Sequence, residues 1–533
     1  MARLNYVNSM AFVSRLPVFQ DTIDGQVGMI VLTTIIKRSD SDDVDETVFG
    51  LRTQEPNVLE KIKSLKLNDI VSVTGFLATK EKDKSGKCDE CGEVNRRVDA
   101  CVSQNKVKSG GNIVYVYPIN LSIKEHCNNP SEAREYLKNN KDTINRVLMM
   151  GNLTSPPISG KVGKTPYTRF QIAVNRKYHP KSGGELYDRT DYPWIYTYGE
   201  QSLRDKENLD TGSLVFVEGK LQSRNFKEKY ICQACGHTYE VPGRTLEIIS
   251  QNVQYIRLSK DCNDEVAFNY FNSIAFVKKL PVVREINGIK EGLIGLTTIM
   301  GTRDYEKAKS GYQLNSVSFC VRTSDPDILK TIESLDLFDI VSVNGFISTK
   351  NKEKKAVCIE CGTENNRMDA CVTHGNDYVK AGGNLIYITP SNLVLNCHCA
   401  CEQEAFEYLH KNQENVNKVF IIGDIIGMPV SGALQNGRKV YTRFQIESKN
   451  DNDEFSYPWV YSYGDKAIDD YQNLDKNSLV MIDGALQSRK FKEQYVCKEC
   501  GTVYDVPGRT LEILSYDTEY LRLSSYSQLL KDK

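Results

Sequence analysis

LVFVEGKLQSRNFKEKYICQACG, Leu214 to Gly236, returns as LVMIDGALQSRKFKEQYVCKECG, Leu479 to Gly501. Each copy opens as a strand of β-branched and aromatic residues with one glycine, then alternates polar and apolar side chains. Each ends in CxxCG, and both copies then run on to VPGRTLEI. This is the pattern of a long β-hairpin with a metal-type cysteine pair at its tip.

Outward from this stretch the chain keeps repeating itself. NYVNSMAFVSRLP, from Asn5, returns as NYFNSIAFVKKLP from Asn269, and LNDIVSVTGFLATK, ending at Lys80, as LFDIVSVNGFISTK, ending at Lys350. A period of about 265 residues is far too long for a solenoid and marks a duplicated two-domain unit. Each half divides again at a polar stretch of helical composition, SEAREYLKNNKDTINR or CEQEAFEYLHKNQENVNK, after which a fresh strand begins. The boundaries read 1–127, 143–260, 265–400 and 415–525.

Within each quarter the strands are short and alternating, with one helical connection, as in EPNVLEKIKSLK of the first. Five such strands predict an all-β chain with a few short helices: four tandem OB-type Greek-key barrels. The CxxC insertions fall in the hairpin between the last two strands. Phe170, Ile172 and Val174 share one face of their strand and are expected in the core.

The chain has 533 residues, 40% of them hydrophobic and 26% charged, which suits several globular domains. No apolar run of about 18 residues occurs, so no membrane helix is expected. The N-terminus lacks a basic-then-apolar export pattern, so a cytoplasmic location is expected. With 68 basic and 69 acidic residues, the net charge is −1. A nucleic-acid binder with that balance must gather its cations on one surface.

The second quarter resembles the bacterial single-stranded DNA-binding protein family, through NRVLMMGNL (Asn145 to Leu153), TRFQIAVNR (Thr168 to Arg176), YPWIYTYGEQ (Tyr192 to Gln201) and GSLVFVEGKLQSRNF (Gly212 to Phe226). The fourth quarter resembles it too; the first and third do so more weakly. The resemblance implies a largely sequence-independent binder that coats single-stranded DNA in replication, recombination, repair or mobile-element transfer. Replication or recombination proteins are the implied partners. Four barrels in one chain would replace the family's tetramer, so a monomer or dimer is expected. The final residues, SSYSQLLKDK, differ from that family's acidic tail.

Such binding needs rings for stacking and cations for phosphates. Tyr192, Trp194, Tyr196 and Tyr198 alternate along one strand, and Tyr457, Trp459, Tyr461 and Tyr463 repeat them. The competing reading places some of these rings in the barrel core. Arg169 and Arg443 are candidate phosphate contacts. So are Arg224, Phe226, Lys227 and Tyr230, with Arg489, Phe491, Lys492 and Tyr495, where charge and rings interleave. Arg52 and Arg322 add cations in the first and third quarters.

Sixteen cysteines without an export signal point to structural Zn²⁺ rather than disulfides. Cys88, Cys91, Cys101 and Cys127 recur as Cys358, Cys361, Cys371 and Cys397 at unchanged spacing, while Cys232/Cys235 and Cys497/Cys500 form further pairs. Either each insertion holds a local four-cysteine site, or knuckles from neighbouring barrels share one ion. No P-loop, HExxH or repeated His–Cys or acidic constellation occurs, so an enzyme is not expected. A replisome or conjugation scaffold and an RNA-binding OB protein are the alternatives.

Overall fold

The computed structural model describes residues 4–22, 25–37, 44–82, 85–96, 111–139, 145–178, 187–258, 267–286, 288–300, 316–352, 355–366, 383–411, 417–434, 439–450 and 454–523. Contacts divide the chain into two units, 1–265 and 266–533, each holding one duplicated half.

In the first unit the first barrel comprises strands Asn5–Thr22, Gly25–Lys37, Val44–Thr53, Asp69–Lys82 and Gly111–His126. Their spatial order is first, second, third, fifth, fourth, and the first strand also pairs with the fourth, Val7 opposite Gly75 to Phe12 opposite Ile70. The third and fifth run parallel through Leu51 and Val116. Helix Pro56–Ser64 bridges the third strand to the fourth. The second barrel repeats the order with Asn145–Leu153, Thr165–Tyr178, Trp194–Tyr198, Leu214–Ile231 and Thr238–Arg257, and helix Gly199–Asn208 after its third strand. This closed Greek-key order is the OB barrel.

The two barrels are stitched edge to edge, since Asn5–Thr22 also pairs antiparallel with Asn145–Leu153, Tyr6 opposite Leu148. The result is a continuous twelve-stranded sheet. The second unit has the same plan, with Tyr270 opposite Phe420 at its junction. The predicted linker helices are Pro130–Asn139 and Glu402–Lys411. Ala133 and Leu137 of the first pack with Met10, Phe12 and Cys127.

The glycine of the repeated V-x-x-x-G strand has a steric cause. A Cβ on Gly219 would lie 2.5 Å from the Ile249 carbonyl oxygen, and one on Gly484 2.2 Å from that of Leu514. A bulge falls at each of these glycines, between Glu218 and Gly219 and between Asp483 and Gly484. The core follows the expected alternation: Phe170, Ile172 and Val174 are fully buried and Ile195 joins them.

Candidate nucleic-acid interface and thiolate clusters

Ile195 enters the second barrel's core, so its neighbours Trp194 and Tyr196 turn to the outer face. There Arg169, on the adjacent strand opposite Tyr196, holds its guanidinium 5.4 Å from the Trp194 ring centre and donates to the Tyr196 hydroxyl at 3.2 Å. Arg224 reaches the Tyr196 ring from the fourth strand, 5.7 Å from its centre. Glu247 grips Arg224 with a contact at 2.7 Å. Tyr196 is therefore only 7% exposed, buried beneath two arginines rather than inside the barrel. Trp194 is half-buried and Tyr198 is 40% exposed.

The fourth barrel reproduces the arrangement. Arg443 lies 5.5 Å from the Trp459 ring centre, Arg489 lies 5.0 Å from that of Tyr461, and Arg489 donates to the Tyr461 hydroxyl at 2.8 Å. Glu512 accepts from Arg489 at 3.2 Å. Trp459 and Tyr463 are half-buried and Tyr461 is buried. Neither tryptophan is sealed in a barrel, whereas Tyr196 and Tyr461 of the same stripes are buried.

Other predicted residues sort differently. Tyr230 and Tyr495 are 4% and 3% exposed and stack on Tyr239 and Tyr504 beside the cysteine pairs. They are hairpin core and offer no ring to a ligand, which corrects their expected role. Lys227 and Lys492 are exposed and face Glu240 and Asp505. The side chains of Phe226 and Phe491 lie outside the described residues. Arg52 lies 5.9 Å from the Tyr115 ring centre, and Arg322 lies 5.4 Å from that of Tyr387 while also pairing with Glu291.

Among the described residues, eight cysteines form two clusters: Cys88, Cys91, Cys232 and Cys235, and Cys358, Cys361, Cys497 and Cys500. In each, one pair comes from the insertion of one barrel and the other from the hairpin tip of its neighbour. The sulfurs of Cys91 and Cys232 are 3.3 Å apart and those of Cys88 and Cys235 3.7 Å apart. The second cluster has the same two spacings. Four thiolates at a Zn–S length of about 2.3 Å stand about 3.8 Å apart in a tetrahedron, so both clusters could hold a metal ion.

Their protonation shows the strain of close thiols. The backbone N–H of Cys235 draws the Cys232 thiol down to about 6, against a smaller opposing effect of burial. At Cys235 the backbone N–H of His237 favours the thiolate, yet burial and the neighbouring sulfurs push it up to about 12. Thiols this close do not all ionise unless a cation joins them.

A repeated side-chain lock, absent from the sequence reading, sets the two hairpins against each other. Asn95 donates to the Tyr239 hydroxyl at 3.1 Å and accepts from the Gln233 backbone at 2.9 Å. Asn365, Tyr504 and Lys498 repeat it at 3.2 and 2.9 Å. The signal was available as an asparagine kept four residues after each insertion's second cysteine.

The local four-cysteine reading fails. Cys127 is buried with Met10 and Leu137, apart from the cluster. Cys397 is not its counterpart either: Ile70 sits opposite Glu125, and the equivalent Ile340 opposite Cys397. The repeated pairs His126–Asp69 and His398–Asp339 fix the register, which makes Cys399 the partner of Cys127. The equal spacing in sequence hid a two-residue difference upstream. Cys101 and Cys371 lie outside the described residues.

In OB-type Greek-key barrels the face of the second and third strands, which here carries the rings and cations, is where oligonucleotides or oligosaccharides bind. Residues 144–255 and 416–511, the second and fourth barrels, match the Single-strand binding protein family. Single-stranded DNA-binding protein 2 of Chlorobaculum tepidum is 34% identical over 86 residues, 16% of this chain and 57% of that protein. The single-stranded DNA-binding protein of Caldanaerobacter subterraneus subsp. tengcongensis is also 34% identical over 86 residues, 16% of this chain and 55% of its own. The chain thus spans just over half the length of these curated relatives. Wild-type single-stranded DNA binding protein from Thermus aquaticus aligns 98% of its chain with 50% of this one, at 15% identity and a TM-score of 0.33. The small single-stranded DNA-binding protein from Streptomyces coelicolor aligns 92% with 21%, at 19% identity and a TM-score of 0.15. The fold rests on the strand order above and not on these superpositions.

Proposed function

We propose that the chain is a non-enzymatic single-stranded DNA-binding protein that coats DNA strands in replication, recombination, repair or mobile-element transfer. The observation that carries this reading is the pairing of Arg169 with Trp194, repeated by Arg443 and Trp459, on outer barrel faces. A base stacks on the indole and a phosphate takes the guanidinium, with Tyr198 and Arg224 extending the surface. Stacking contributes about 1–3 kcal/mol per base and is blind to sequence.

Each cysteine cluster holds a structural Zn²⁺ that ties the two hairpins of a half together. Four thiolates leave no open coordination position, so the ion supplies rigidity and no catalysis. The protein acts in the cytoplasm, as a monomer or dimer, with replication or recombination proteins as partners.

The test is a titration of oligo-dT, oligo-rU and duplex of matched length at two salt concentrations, followed by tryptophan fluorescence. Quenching by oligo-dT that weakens as salt rises supports the proposal. Tighter binding of oligo-rU moves the assignment to RNA, and no binding of any of the three overturns it.

A further inference from the structure

The parallel pairing of third and fifth strands gives a common ruler for all barrels. Ile195 pairs with Ile248 in the second barrel, Leu51 with Val116 in the first, and Val321 with Ile388 in the third. Counting from these points, the Tyr196 position is Arg52 and Arg322, and the Glu247 position is Tyr115 and Tyr387. The Trp194 position is Gly50 and Cys320. The first and third barrels therefore lack the indole, yet a ring and a guanidinium still meet there. The cation has moved to the third strand, where the second barrel carries its rings, and the ring to the fifth, where the second barrel carries the carboxylate that holds Arg224.

The two ring-and-cation pairs of a half lie beside one seam between its barrels. The Val48 backbone N–H donates to Ser223 Oγ at 3.0 Å, one residue before Arg224. The Tyr192 N–H donates to Thr79 Oγ1 at 3.1 Å, two residues before Trp194. In the second unit the Tyr457 N–H donates to Thr349 Oγ1 at 2.8 Å.

We infer that Tyr115 with Arg52, and Tyr387 with Arg322, form a second stacking position for single-stranded nucleic acid, so each half binds as a two-barrel unit. This rests on the function proposed above. Both tyrosines are half-buried, with ring surface left for a base, and the arginine plane offers a second stacking surface.

The experiment compares the full chain with its Y115L/Y387L variant, using oligo-dT of about 8 nucleotides, within one barrel's span, and of about 40, enough for several. The variant loses about 5- to 150-fold in affinity for the long strand and keeps that for the short one. Y115F/Y387F, which keeps the rings, binds both like the unaltered chain. Unchanged long-strand affinity, or equal loss for both lengths, overturns the inference. If the leucine variant fails to fold, R52Q/R322Q is read by the same comparison. Failure of the unaltered chain to bind either strand sinks the underlying function instead.

Discussion

The Asn145 side chain makes both hydrogen bonds of a ladder step with Leu221, donating to its carbonyl at 2.9 Å and accepting from its N–H at 3.0 Å. Asn5 does this with Leu77, Asn269 with Ile347 and Asn417 with Leu486. The carboxamide thus extends the first strand at the same place in every barrel, two residues past the bulge glycine. Asn145→Ala strands two backbone groups at a buried site and is expected to cost about 2–4 kcal/mol. Asn145→Asp keeps the acceptor but sets an oxygen against the Leu221 carbonyl, so it does no better. Thermal melts check both, and an aspartate variant as stable as the unaltered chain refutes the account.

The two tryptophans of the chain sit one on each proposed DNA-binding face, so fluorescence reports on the two barrels separately. In W459F the remaining signal comes from Trp194 and is expected to quench as oligo-dT is added. W194A is expected to lose about 1–3 kcal/mol of affinity for a short strand occupying that barrel. Arg169→Ala, which removes the cation above the ring, is expected to lessen the salt dependence by about one phosphate contact. An R169A variant with an unchanged salt slope removes that arginine from the interface.

Metal analysis is expected to find two zinc ions per chain, and C91S/C235S to lose one of them while leaving the other half loaded. Chelation lowers the melting temperature, because the tips of neighbouring hairpins lose their shared anchor. Acid acts in the same direction, since protons compete with the metal for the thiolates. A zinc content unaffected by C91S/C235S excludes the shared site.

Strand alternation and the fold class were legible because they are local patterns, and the duplication because its two copies match in sequence. What the alternation could not supply was which face of Trp194–Tyr198 met the core. That depended on Phe170, Ile172 and Ile248 filling the barrel without help from the tyrosines. Tyr230 looked like a stacking ring because charge surrounds it in sequence, whereas its own ring turns to Tyr239 across the hairpin. The pairing of Cys88/Cys91 with Cys232/Cys235 joins residues more than a hundred positions apart, and only the stitching of the two barrels brings them together. The same distance in sequence hides Asn95 and Tyr239.

Asp205 is a buried carboxylate that accepts from the Tyr255 hydroxyl at 2.6 Å and from Gln201 at 2.8 Å. Burial raises its pKa above the ordinary 3.8, with the hydrogen bonds opposing. The folded chain therefore holds this proton more tightly than the unfolded one. The group's contribution to stability is greatest at low pH and falls as pH rises from about 4 through the raised value. Asp205→Asn removes the buried charge while its Oδ1 keeps both acceptor contacts. Its new amide can donate to Thr197 Oγ1, whose own proton goes to the Thr168 carbonyl at 3.2 Å. D205N is thus expected to melt higher than the unaltered chain at pH 7, with the difference shrinking as pH falls towards 4. Asp205 feels the cation Arg204 only as the least of its influences, whereas its counterpart Asp470 has Lys466 at 3.9 Å as a larger one, so D470N forfeits more attraction and gains less. A D205N advantage that is the same at pH 7 and pH 5, or an advantage for D470N larger than for D205N, contradicts this reading.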